Sequence, residues 1–286
     1  MNRFLLGSPF LLALAACAGA PTPRETAAAP EMLTPSIQRV LAEEVARPTR
    51  REVVRRILPH NVRLVVSDGG ETRSTASGVV IGSELTSKGS VSYVLTNAHA
   101  LDMKDLAAPR LTVTLEQRGE VLEYPAEPVA AGTVPDMDLA LLRVRGVQLS
   151  PAELADDSEL EPGGDVVVAA SPFGKAISLS GGMVSQVEWD HALKSPRMLK
   201  TDAPIGYGAS GGGIFSLETG RLLAIVEGYR TAKVGFAVAE QNYSFDVPMP
   251  GETFAAPSSK VRRFLQDKGY ARLLTPRAAP ATTARR

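Results

Sequence analysis

The sequence predicts an all-β fold, a barrel or sandwich of short strands. Nine runs of four to six residues rich in apolar and β-branched side chains recur along the middle of the chain, at 62–66, 77–81, 91–96, 111–115, 139–144, 165–169, 182–187, 213–216 and 222–226. The 25 glycines and 21 prolines among 286 residues punctuate them and favour turns over long helices. Helical periodicity is brief and falls near the ends, which argues against alternating βαβ units. Composition narrows the function classes. Lys and Arg (31) balance Asp and Glu (31), with 44% hydrophobic residues, so no polyanion-attracting field and no nucleic-acid partner are expected. The single cysteine, Cys17, excludes an intramolecular disulfide, and His60, His99 and His191 lie at no metal-ligand spacing. No metal and no cofactor are expected.

The elements follow in chain order. Arg3 precedes an apolar stretch, 4–14, interrupted by Gly7, Ser8 and Pro9. It is too short to span a bilayer and has the layout of a secretory signal, 1–16. Leu14-Ala15-Ala16-Cys17 resembles a bacterial lipoprotein signal, in which Cys17 is lipidated and becomes the N-terminus; a plain cleaved signal is the alternative. Residues 17–35, rich in Ala, Pro and Thr, read as a tether. A helical lead-in over 36–59 carries Ile37, Val40, Leu41 and Val45, then Val53, Val54 and Ile57, with a break at Pro48. The arginines of its polar face, Arg50, Arg51, Arg55 and Arg56, are expected in solvent. After the nine strands, Val261, Phe264 and Leu265 form a helical stripe, with Ser258 or Ser259 as cap and Gly269 as stop. The Ala, Pro, Thr and Arg-rich tail, 271–286, is expected to be disordered.

Ser210 lies in Gly208-Ala209-Ser210-Gly211-Gly212, a cluster in which glycines leave backbone N–H groups uncovered around a hydroxyl. A nucleophile beside an oxyanion hole needs such a setting; a glycine-rich turn with an incidental serine is the bland alternative. The string also matches the G-x-S-x-G elbow of α/β-hydrolases, but that class needs its histidine after the serine, and all three histidines here precede it. The order His, Asp, Ser remains open. His99 follows the run ending at Thr96, where a strand end presents a side chain, and Asp138 directly abuts the apolar run Leu139-Ala140-Leu141-Leu142. An acid there can hold the histidine tautomer whose Nε2 faces the serine. Asp136 suits a turn better, and His60 and His191 lack this context.

Thr96-Asn97-Ala98-His99, Asp138-Leu139-Ala140-Leu141-Leu142, Ser171-Pro172-Phe173-Gly174, Thr201-Asp202-Ala203 and Gly208-Ala209-Ser210-Gly211-Gly212 resemble, in order and spacing, the protease domain of HtrA/Deg trypsin-like serine peptidases. The resemblance covers about residues 60–270 and implies two packed six-stranded β-barrels, with a short helical segment before them and a C-terminal helix after. It implies Ser210 as nucleophile, His99 as general acid/base, Asp138 as its orienting acid, and the Gly208 and Ser210 N–H groups as oxyanion hole. It further implies a primary substrate pocket walled by Pro204, Ile205 and Val226, all uncharged, although Glu227 is near enough in sequence to reach in.

The chain departs from the family around the nucleophile. Gly206-Tyr207-Gly208-Ala209-Ser210-Gly211-Gly212-Gly213 stands where the family has Asn-Pro-Gly-Asn-Ser-Gly-Gly-Pro, a looser loop whose oxyanion hole could be collapsed at rest. Residues 229–252 are longer than expected before the last strand, 254–257, and read as a hairpin beside the substrate cleft. No PDZ domain is expected after the terminal helix. The resulting expectation is a serine endopeptidase acting on proteins or peptides, tethered by lipid to a membrane of the bacterial envelope and facing the periplasm. A protease-fold binding scaffold without turnover is the alternative.

Overall fold

The computed structural model describes residues 48–117, 119–238 and 241–274, with the side chains of residues 117 and 238 left aside. All of these belong to the compact unit Arg47–Arg286. The signal segment, Cys17, the tether, the first part of the lead-in and residues 275–286 lie outside the described residues.

Among the described residues, twelve antiparallel strands make two closed six-stranded barrels. The first contains β1 (Asn61–Asp68), β2 (Glu71–Thr86), β3 (Gly89–Thr96), β4 (Pro109–Gln117), β5 (Glu120–Ala131) and β6 (Ala140–Arg145), ordered β1-β2-β3-β6-β5-β4. The second contains β7 (Asp165–Ala170), β8 (Ser178–Asp190), β9 (Ser195–Thr201), β10 (Gly213–Ser216), β11 (Leu222–Val238) and β12 (Gln241–Pro257), ordered β10-β11-β12-β9-β8-β7. The two-barrel expectation is met, and each of the nine expected runs falls in a strand. β5 and β9 were not among them. β5 carries Pro125 and Pro128 and is buried nowhere along its length, while β9 buries only Pro196, Leu199 and Thr201. Neither presents the apolar density that marks a strand in sequence.

Strands at the seam are apolar on both faces because both are covered. In β7, Val166 and Val168 point into the second barrel's core, whereas Val167 and Ala169 join a separate cluster. That cluster also takes Val79 and Leu95 from the first barrel and Phe215 and Ile225 from the second. Period-2 alternation sends alternate residues to the two cores, and their shared burial packs the barrels together.

Two helices close the outside of this seam. The first, α1 (Arg50–Ile57), starts at a capping box: Thr49 Oγ1 accepts from the Glu52 N–H at 3.3 Å and Glu52 Oε2 from the Thr49 N–H at 2.8 Å. Val53 and Ile57, four residues apart, are buried against the seam. Its polar face is not solvated throughout, since Arg56 Nη1 donates to the Thr219 carbonyl at 3.1 Å. The second helix, α2 (Ser258–Asp267), buries Val261, Phe264 and Leu265 as expected and is followed by Gly269 at φ +79. The expected serine cap is corrected. β12 stays paired through Pro257, which becomes the N-cap, so Ser258 and Ser259 are already helical, and Ser259 Oγ donates to Pro196 O at 3.1 Å.

The first four residues of the expected disordered tail, 271–274, have regular structure instead. Ala271–Leu274 form a 3₁₀ turn, and Arg272 lies over the Tyr93 and Tyr270 rings while donating to Glu84 Oε1 at 2.9 Å. Tyr93 and Glu84 are distant in sequence, so these contacts are invisible to composition.

Candidate active site

Pairing of β3 with β6 sets Thr96 opposite Ala140, and so brings the residues after one strand beside those before the other. His99 opens the 3₁₀ turn His99–Leu101. Asp138 Oδ2 lies 2.6 Å from His99 Nδ1, and Oδ1 accepts the His99 N–H at 2.9 Å. The buried Asn97 donates from Nδ2 to the Asp138 carbonyl at 2.8 Å, which fixes the acid's backbone as well. Asp138 is buried, whereas the His99 side chain keeps 41% exposure. With Nδ1–H engaged by the carboxylate, Nε2 is left as the accessible acceptor.

The electrostatics follow from this contact. The Asp138 hydrogen bond raises His99 above the usual imidazole value, against burial and with support from the charges of Asp138 and Glu227. Burial pushes the Asp138 carboxyl up, but the hydrogen bonds from the His99 side chain and N–H outweigh it and hold the carboxyl below its ordinary value. The other histidines stay apart. His60 Nδ1 meets Ser150 O at 3.0 Å, with burial lowering its affinity for a proton, and His191 lies in the turn between β8 and β9. Asp136 sits in the turn before Asp138, as expected.

Ser210 lies on the other barrel, in the loop between β9 and β10. Gly208 and Gly211 adopt φ +86 and +84, which side chains disfavour, and a Cβ on Gly211 would collide with Ser77 O and Thr96 Oγ1. This close approach is made by Ser77 of β2. Its N–H donates to Ser210 O and its Oγ to Gly208 O, both at 2.8 Å, while its Oγ accepts the Ser171 N–H at 2.8 Å. Thr96 Oγ1 in turn donates to Ser77 O at 2.8 Å, linking the nucleophile loop to the strand that presents His99. Sequence reasoning missed Ser77 because a serine in Ala76-Ser77-Gly78 looks like any polar strand residue.

The loop's own N–H groups divide sharply. Those of Ala209, Gly211 and Gly212 are bonded to Gly206, Val226 and Ala209 carbonyls. Those of Gly208 and Ser210 have no acceptor among the described residues. The Tyr207 carbonyl accepts the Phe173 N–H at 2.6 Å, so across that trans peptide the Gly208 N–H points the opposite way. Ser210 Oγ makes a long contact of 3.4 Å to Glu227 O, and no hydrogen bond joins it to His99 among the described residues.

Beside this loop opens a cavity of ≈ 390 Å³. Pro204 and Ile205, both expected in the wall, line it together with Gly206 and Ala209 from the loop side and Val168 and Ala170 of β7. Phe173, Tyr207 and Tyr229 add an aromatic rim in which Tyr207 meets Phe173 at 6.3 Å and Tyr229 at 5.9 Å, ring centre to ring centre. No charged side chain lines it. Val226, expected in this wall, instead points into the core of the second barrel and is fully buried. Glu227 does not line the cavity either. Its Oε1 lies 2.8 Å from Lys260 Nζ on α2, with only 11% and 8% of the two side chains exposed. Burial pushes the Glu227 carboxyl up despite the pull of Lys260.

A family model described as "Trypsin-like peptidase domain" matches residues 76–225. A probable periplasmic serine endoprotease DegP-like of Marinomonas sp. (strain MWYL1) is 33% identical over 182 residues, 63% of this chain and 34% of that protein. The protein of the same description from Ectopseudomonas mendocina (strain ymp) is 32% identical over 203 residues, 71% of this chain and 38% of that protein. The chain thus spans well under half the length of these relatives. Among solved structures, the serine endoprotease from Yersinia pestis superposes with a TM-score of 0.56 at 22% identity, over 79% of this chain and 67% of that one. Deg5 does so with 0.53 at 22%, over 82% and 95%. At that identity the likeness is one of fold.

Proposed function

The chain belongs to the trypsin-like peptidase family, and from that premise we propose that it is a serine endopeptidase working through Ser210, His99 and Asp138. The observation that carries this reading is the two-point hold of Asp138 on His99, at 2.6 and 2.9 Å, beneath a glycine loop that bears a serine. His99 Nε2 takes the Ser210 proton as Oγ attacks the substrate carbonyl, then returns it to the leaving amine; water hydrolyses the acyl-enzyme by the same relay. The unengaged N–H groups of Gly208 and Ser210 suit the developing oxyanion, a contribution of about 2.7–4 kcal/mol per donor. Labelling by a fluorophosphonate, blocked in Ser210→Ala, tests the reading directly.

The Ser210 hydroxyl, turned toward Glu227 O, favours one second reading, a binding scaffold that keeps the fold without turnover. A wild-type protein that resists the phosphonate and leaves casein uncut, with and without unfolded protein present, would decide for the scaffold.

The uncharged cavity implies substrates with small or aliphatic residues before the cut bond. A Lys or Arg side chain entering it would lose its hydration without a partner. Peptide-library profiling is expected to return aliphatic residues there, and a profile dominated by basic residues would refute the assignment.

The matched relatives are described as periplasmic, which supports action in the bacterial envelope. Lipid on Cys17, with the following segment as tether, would hold the enzyme at a membrane, the outer one by analogy with sorting in enteric bacteria, since Ala18 is not acidic. Cys17→Ser is expected to abolish fatty-acid labelling and normal processing; unchanged processing would rule the anchor out.

A further inference from the structure

Ser77 reaches the nucleophile loop from the opposite barrel. Among the described residues, β2 pairs with β3 only from Val79 onward, so on that side Ser77 lies beyond the ladder, and it is buried. A serine hydroxyl has one hydrogen to donate and lone pairs with which to accept. The Ser77 hydroxyl uses both, donating to Gly208 O and accepting the Ser171 N–H, each at 2.8 Å. The Ser77 N–H donates to Ser210 O, also at 2.8 Å.

The Gly208 and Ser210 N–H groups that suit the oxyanion belong to the Tyr207–Gly208 and Ala209–Ser210 peptides. A planar trans peptide points its N–H opposite to its C=O, so each donor is aimed by whatever holds the carbonyls of its own peptide and of the next. Tyr207 O is held by the Phe173 N–H at 2.6 Å and Ala209 O by the Gly212 N–H at 2.9 Å. The next peptide in each case carries Gly208 O and Ser210 O, and Ser77 holds both. Gly208 has no side chain to resist rotation, yet none fits there: a Cβ would meet Ser171 O at 3.0 Å and Phe173 N at 3.1 Å. Hydrogen bonds must therefore supply the rigidity that the glycine lacks. Because Ser171 leads directly into the turn that carries Phe173, the Ser77 hydroxyl also ties down the donor that holds Tyr207 O.

We propose that Ser77 is a positioning residue for the oxyanion hole. Its hydroxyl, presented from the first barrel, holds the peptides on both sides of Gly208 so that the Gly208 N–H is aimed before substrate arrives. This rests on the serine endopeptidase reading. Ser77 acts through the loop, so its effect falls on the tetrahedral oxyanion and not on binding of the uncut peptide.

Ser77→Ala is expected to lower kcat on a peptide substrate by about 10- to 100-fold, with KM within about twofold. A peptide aldehyde is expected to lose affinity by the same factor, because Ser210 Oγ bonds to its carbonyl carbon, the hydroxyl proton passes to His99 and the carbonyl oxygen enters the hole. The matching peptide alcohol forms no such adduct and is expected to bind unchanged. Ser92→Ala is the matched control: Ser92 is also buried in the first barrel, and its hydroxyl donates to Val147 O and accepts the Leu149 N–H, both at 2.9 Å and neither in the nucleophile loop. It is expected to lower stability to urea as Ser77→Ala does and to leave kcat within about twofold. An unchanged kcat in Ser77→Ala, a loss confined to KM, or an equal kcat loss in Ser92→Ala overturns the proposal. Where Ser77→Ala does not fold, Ser77→Cys, similar in shape but a weak donor, decides: a lower kcat at unchanged KM supports the role, and an unchanged kcat overturns it. If the wild type cuts no peptide, the endopeptidase reading fails on its own, and amide hydrogen exchange still examines the hold. Exchange at Phe173 about tenfold or more faster in Ser77→Ala than in Ser92→Ala supports it, and equal exchange overturns it.

Discussion

Ser210→Ala and His99→Ala are each expected to lower kcat/KM on a peptide substrate by at least about 10⁴-fold, and the double variant to lose little more. A free hydroxyl is a poor nucleophile, so either change removes the same activated group, and effects of residues acting as one unit do not add. Asp138→Asn, which keeps the shape but loses the charge that sets the His99 tautomer, is expected to cost about 10⁴-fold as well. The pH profile provides an independent check. Only neutral imidazole accepts the serine proton, so activity rises with pH through the His99 titration. The Asp138 hydrogen bond raises that titration, which places the acid limb above the unperturbed value of about 6.5. Additive single-variant losses, or an acid limb below that value, would show that the three residues do not act together.

Lys260→Met is expected to destabilise the protein by about 3–5 kcal/mol at neutral pH, read from urea unfolding. The substitution leaves the Glu227 carboxylate buried without its 2.8 Å partner, and an uncompensated buried charge is far more costly than the lost pair is favourable. The deficit has a defined pH dependence. Burial already raises the Glu227 carboxyl, and without Lys260 it rises further, so the folded variant binds a proton that the unfolded chain releases. The deficit is therefore smallest below the unfolded carboxylate value of about 4.3 and grows as pH climbs through the raised folded value. Lys260→Met combined with Glu227→Gln removes both charges and is expected to recover most of the loss. A stability loss that does not change with pH, or one the double variant fails to relieve, would mean that packing rather than charge makes Lys260 important.

Much of the fold is legible in the sequence because burial leaves a local trace. Strands such as β3, β6 and β7 are apolar on both faces at the seam and read as dense apolar runs, broken only by Ser92 in β3 and Arg143 in β6. The stripe of α2 reads at helical spacing, and Gly269 marks its end. β5 and β9 leave no such trace: β5 buries none of its side chains and β9 only three, and prolines interrupt both, so their pairing with neighbours, not their own composition, makes them strands. The long hairpin is legible as an extension of the chain, but its bare aromatic face, formed by Phe236, Tyr243 and Phe245, emerges only from the register of β11 against β12.

The candidate site divides along the same line. The order of His99, Asp138 and Ser210, the strand ends that present the first two, and the glycines around the third are local features, and the sequence by itself determined them. Only the tertiary structure decided that Ser77 and Thr96 clamp the nucleophile loop, that Phe173 and Tyr229 line the cavity while Val226 turns into the core, and that Glu227 is bound to Lys260 instead of facing substrate. These contacts join residues tens to more than a hundred positions apart. Hydrophobic periodicity reports which face of an element is buried, and it carries no information about which distant backbone or charge comes to rest against that face.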